Sequence, residues 1–87
     1  MTYEIRFKKS SRKELESLDN ETQRRVVSAI ESLALNPIPQ GASKLKAPVP
    51  LWRIRVGSFR ILYEIQNNIL LVYVVKIAHR KDVYRDL

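Results

Sequence analysis

The chain has 87 residues, enough for one compact domain over 1–87 and no second one. Hydrophobic residues make up 45% and charged residues 29%, which excludes a disordered chain, and the lack of cysteine excludes a disulfide framework or a cysteine-ligated zinc site. Net charge is +7, split as +1 over residues 1–36 and +6 over residues 37–87, which calls for a polyanionic partner, with a solvated basic surface as the plainer alternative.

The segment MTYEIRFKKS lacks the apolar core of a signal peptide, and the run Ile69 to Val75 is too short to span a bilayer. A cytoplasmic protein with no membrane partner is expected. Tyr3, Ile5 and Phe7 alternate with Glu4, Arg6 and Lys8, the period of a half-buried strand. Ser11 and Glu14 have the spacing of a capping box opening a short helix that turns Leu15 and Leu18 inward. Asn20 and Gln23 suggest a second cap. The next helix carries Val26, Val27, Ile30, Leu33 and Ala34 on one face and stops at Asn36-Pro37.

The stretch from Pro37 to Pro50 holds all four prolines and reads as a loop. Three strands follow. Trp52, Ile54 and Val56 alternate with Arg53 and Arg55. Gly57-Ser58 suits a two-residue hairpin turn. Phe59, Ile61, Tyr63 and Ile65 alternate with Arg60, Leu62 and Glu64. Asn67-Asn68 suits a second turn that needs positive φ. Ile69 to Ile77 is apolar on both faces, as in a central strand. The order β-α-α-β-β-β predicts an α+β fold, a helical hairpin on a mainly antiparallel four-stranded sheet.

With a two-residue turn at Gly57-Ser58, Arg55 pairs with Arg60, and Arg53, Arg55 and Arg60 share one sheet face. Like charges directly opposite are destabilising, so a held anion is one explanation and simple solubility the other. Arginine suits phosphate because its planar fork donates two hydrogen bonds. Lys44 and Lys46 are expected to extend this basic surface. Counting by twos from Val75 puts Ile77 and His79 on the Arg60 face, with Arg80, Lys81 and Tyr84 following. No metal-ligand spacing, glycine-rich phosphate loop or Ser-His-Asp set is evident, and no cofactor is expected.

The element order, with Lys44-Leu45-Lys46, Trp52-Arg53-Ile54-Arg55, Phe59-Arg60-Ile61-Leu62-Tyr63 and His79-Arg80-Lys81-Asp82-Val83-Tyr84, resembles the RelE toxins of the RelE/ParE superfamily. The resemblance implies a ribosome-dependent endoribonuclease of a type II toxin–antitoxin system, which cleaves mRNA in the ribosomal A site by 2′-hydroxyl attack on the adjacent phosphate. It implies catalytic roles for Arg53 and Arg55 as basic strand residues, Arg60 at the phosphate, Arg80 near the leaving group and Tyr84 in the tail. Where the RelE pattern has lysines, Arg53 and Arg55 cannot readily lose a proton, so His79 or Tyr84 becomes the candidate base. Lys44, Lys46 and Lys81 would bind RNA.

The implied partners are the ribosome, mRNA and a cognate antitoxin, the last in a hetero-oligomer. Leu62, Leu71, Tyr73 and Val75 are expected to form an apolar strip for the antitoxin on the face away from the helices. A ParE-like inhibitor of DNA gyrase and a non-catalytic RNA-binding module are the alternatives.

Overall fold

The computed structural model describes residues 2–46 and 50–82. Strand β1 (Glu4–Phe7) leads into helices α1 (Lys9–Glu16) and α2 (Asn20–Ser32), then β2 (Ser43–Leu45), β3 (Leu51–Val56), β4 (Phe59–Gln66) and β5 (Leu71–His79). The sheet runs β1-β5-β4-β3-β2, antiparallel except where β1 lies parallel to β5. The α+β class and the helical layer agree with expectation; the strand count does not. Within the proline-rich segment Ser43–Leu45 pairs with Leu51–Arg53, giving a fifth, edge strand. Three residues are too few for alternation to reveal a strand in the sequence.

The helices cover one face. Val26, Ile30 and Leu33 of α2 are buried against Ile54, Ile61, Tyr63, Val72, Val74 and Ile77, with Leu15 and Leu18 at the margin. Trp52 is only half-buried at the edge of this core, under the Lys44 ammonium 5.9 Å from its ring. The Tyr63 hydroxyl donates to the Pro37 carbonyl at 2.7 Å, tying the proline-rich segment to the sheet. On the other face Leu51 and Leu62 are buried with Leu45, Val75 and Ala78 packed on them.

The caps differ from those expected. Asp19, one residue before the predicted cap, accepts the Thr22 amide at 3.1 Å. Hydrogen bonding from the Thr22 side chain, and then from this amide, lowers the Asp19 pKa from the usual carboxylate value. Ser11 and Glu14 lie inside α1, which starts at Lys9, and form no capping box. The buried Ser11 hydroxyl donates to the Val74 carbonyl at 2.8 Å, and Glu14 Oε1 accepts the Ile77 amide at 2.9 Å. The edge of β5 past the end of β1 is thereby satisfied by side chains of α1, which pins the helix to the sheet.

Between these two anchors β5 bulges. Leu62 pairs with Lys76 but Tyr63 pairs with Val74, so Val75 is an extra residue. The Gly57-Ser58 turn has the expected register, with Gly57 at φ +58. The next turn instead runs through a short 3-10 segment, Asn67–Ile69, and Leu70 rather than an asparagine takes the left-handed conformation, at φ 51.

Candidate nucleic-acid interface

Hairpin geometry builds the basic end of the sheet. Arg55 stands opposite Arg60, as the turn demands, and Arg53 stands opposite Leu62. By alternation these arginines lie on the face away from the helices. Arg53 is half-buried, and its Nη2 donates to Ser43 Oγ at 3.2 Å across to β2. Because β2 pairs only as far as Arg53, β3 is the sheet edge at Arg55. Arg55 is exposed there and also borders the grooves beside α2.

Several expected positions change. The bulge at Val75 reverses the count along the rest of β5, so Ile77 pairs with Ile61 inside the core and His79 pairs with Phe59. His79 therefore falls on the helix side of the sheet, not on the Arg60 face. Its ring meets Phe59 edge-on, with centroids 5.8 Å apart. Lys44 pairs with Trp52, one step out of phase with Arg53, so it lies on the helix side too and does not extend the arginine face. Lys46 is exposed just past β2, and Lys81 is exposed in the turn after β5.

Arg80 is exposed, and its amide donates to the Ser58 carbonyl at 2.8 Å, holding it beside the hairpin turn. Arg55, Arg60 and Arg80 thus lie at one end of the sheet, with His79 at the same end on its helix side and Arg53 two residues inward. The Lys81 amide donates to His79 Nδ1 at 3.3 Å, so a neutral imidazole carries its proton on Nε2. Tyr84 lies outside the described residues. Among those described, no group of three His, Asp or Glu could hold a metal ion.

The expected apolar strip is also altered. Leu62 is fully buried in the second cluster, and Val75 packs against it, so Leu62 is not part of an exposed strip. Leu71 and Tyr73 remain half-buried, beside the exposed Glu4 and Arg6 of β1.

Sequence reasoning missed Arg24 and Arg25. They sit on the exposed side of α2 and line a groove with Ser28, Arg55 and Gly57. The Arg24-Arg25 pair is a visible charge signal, but nothing in it tells which sheet edge it meets.

A family model described as the ParE toxin of type II toxin–antitoxin systems, parDE, matches residues 5–84. Toxin RelG of Mycobacterium tuberculosis is 29% identical over 86 residues, spanning 98% of this chain and 99% of that one. The archaeal RelE–RelB complex of Pyrococcus horikoshii contains a chain similar at TM-score 0.81 and 27% identity, over 92% of this chain and 97% of that one. The Mycobacterium tuberculosis toxin–antitoxin complex RelBE2 gives 0.79 and 26%, over 92% and 100%. The helical layer on this mixed sheet is thus the fold of a type II toxin. The chain belongs to the ParE toxin family within the RelE/ParE superfamily.

Proposed function

We propose that the protein is a ribosome-dependent endoribonuclease that cuts mRNA in the A site and so stops translation in the cytoplasm. The observation that carries this reading is the facing pair Arg55 and Arg60, with Arg80 held beside the same turn. Three arginines placed at one sheet end suit a phosphate that gains charge as a 2′-hydroxyl attacks it. Fixed donors aimed at developing charge are a strong source of catalysis. Arg60 and Arg55 would hold the phosphorane oxygens, Arg53 would support them from the strand, and Arg80 would meet the departing 5′-oxygen. Lys46 and Lys81 would contact flanking RNA.

The imidazole changes role. With Nδ1 accepting the Lys81 amide, neutral His79 offers an Nε2–H donor, which suits a phosphate or leaving oxygen better than a 2′-hydroxyl proton. The base is then left to Tyr84 or to the ribosome's own groups. Weak acid–base chemistry in the isolated chain is consistent with ribosome dependence.

The partner expected from the named complexes of its relatives is an antitoxin, seated in part on Leu71 and Tyr73. The experiment adds purified protein to a translating system and maps message ends by primer extension. Cuts within codons that appear only with ribosomes support the reading; intact messages overturn it. A second reading, inhibition of DNA gyrase, is favoured by the ParE description of the matching family. It predicts intact messages and blocked supercoiling in a purified gyrase assay.

A further inference from the structure

A second basic surface lies around the hairpin turn from the arginine face. Arg24 and Arg25 of α2, Arg55 of β3 and Gly57 border a shallow groove of about 610 Å³ with Ser28 and Ser32. No carboxylate lines it, and its three arginines are all exposed. The Arg25 guanidinium lies against Gly57, where an added Cβ would sit 3.6 Å from Nη2. Among the described residues the Arg24, Arg25 and Arg55 side chains make no ion pair or hydrogen bond, and all three residues are exposed.

The groove runs towards the hairpin turn that also carries the proposed reaction site. Arg25 and Gly57 also border a smaller recess with Ser58 and Phe59, and Phe59 carries the His79 ring. The uncompensated Arg24 and Arg25 guanidinium groups beside a serine hydroxyl complement a phosphodiester backbone, with Arg55 of β3 bordering the groove. The 610 Å³ groove has no aromatic ring in its lining. Binding of unstacked single strands relies on such rings, whereas helical RNA is gripped by its backbone and shape.

Resting on the ribonuclease reading, we infer that this α2–β3 groove seats the phosphate backbone of folded ribosomal RNA, docking the toxin while the opposite end of the arginine series meets the message. Arg24 and Arg25 supply affinity and orientation, and neither touches the reacting atoms.

The test uses the double variant R24A/R25A, with R24K/R25K as the charge-preserving control, on ribosomes with and without bound message. Binding is measured across a range of salt, and cleavage is measured at saturating ribosomes. The double alanine variant is expected to bind both kinds of ribosome about tenfold more weakly. Its salt slope should flatten by about one to two, as loss of one or two phosphate contacts predicts. Its kcat should stay within about twofold of the wild type, and the lysine variant should retain most of the affinity. Wild-type affinity and slope in R24A/R25A overturn the inference while leaving the ribonuclease reading intact. A defect confined to message-bearing ribosomes, or to binding of an acidic antitoxin peptide, also overturns it. If the wild-type protein neither binds nor cuts on ribosomes, both the reading and the inference fall.

Discussion

Arg60 faces Arg55 across a two-residue turn, and like charges so placed repel by a few tenths to about 1 kcal/mol. Arg60→Ala should keep the fold while lowering ribosome-dependent cleavage by about 10²–10³-fold. Single-turnover cleavage combined with thermal melting separates the two effects; wild-type cleavage by this variant removes Arg60 from the site. Tyr63 is the contrasting residue. Its ring is buried, and its hydroxyl serves Pro37. Burial pushes its pKa up to about 12 from 10.0. A raised folded-state value means that the neutral phenol is favoured by folding. This contribution is full below about pH 10 and is lost as pH rises towards 12. Tyr63→Phe should cost about 0.5–1.5 kcal/mol at neutral pH and should flatten the loss of stability over that alkaline window in denaturant titrations.

At the scale of elements, the connection between α1 and β5 explains where the far end of β5 points. The bulge at Val75 returns Ile77 to the core, and the Ile77 amide is satisfied by the Glu14 carboxylate. Glu14→Ala should destabilise by about 1–3 kcal/mol, because that part-buried amide then lacks its acceptor. Glu14→Gln keeps an oxygen in place and should cost less; equal losses by chemical denaturation would reduce Glu14 to a surface charge. The same contact marks the limit of what the sequence makes legible. Strong alternation over Trp52–Val56 and Phe59–Ile65 fixes the hairpin, its register and the Arg55–Arg60 pair. The bulge breaks alternation within a run that is apolar on both faces up to Val75; Lys76 alone carries the signal, since it reaches the face away from the helices only when Val75 is counted as extra, and counting by twos without it puts His79 on the wrong side. Ser11 and Glu14 have capping-box spacing, but their partners lie more than 60 residues away. Leu70 adopts a conformation that sequence preference assigns to asparagine, because the backbone there is fixed by the Glu4 amide on the Leu70 carbonyl at 2.7 Å and the Asn67 carbonyl accepting the Leu70 amide.

Across the whole molecule, the small size of the core governs what substitutions can be tolerated. Ile61 is fully buried where α2 meets the sheet. Ile61→Ala should cost about 2–5 kcal/mol, a large share of the roughly 5–15 kcal/mol typical of a folded domain. A cost under half a kcal/mol would contradict the core assignment.

The face away from the helices poses a different constraint. Its centre is closed by the chain itself, since Leu62 and Leu51 are buried with Leu45, Val75 and Ala78 around them. Towards β1 the closure ends: Leu71 and Tyr73 stay half-exposed between the charged Glu4, Arg6 and Glu64. An acidic antitoxin segment that folds as it binds would gain apolar contact at Leu71 and Tyr73 and charge complementarity from the arginines further along the sheet. Tyr73→Asp opposes both, adding a desolvation cost and a like charge, yet in the free toxin it leaves the carboxylate at a half-exposed position beside Arg6. We expect it to weaken a purified toxin–antitoxin complex by tenfold or more while moving the melting temperature of the free toxin by only a few degrees. Calorimetric titration of the antitoxin into both proteins measures the difference. Unchanged affinity, with the antitoxin footprint confined to α1 and α2 in hydrogen exchange, would move the inhibitory surface to the helical face.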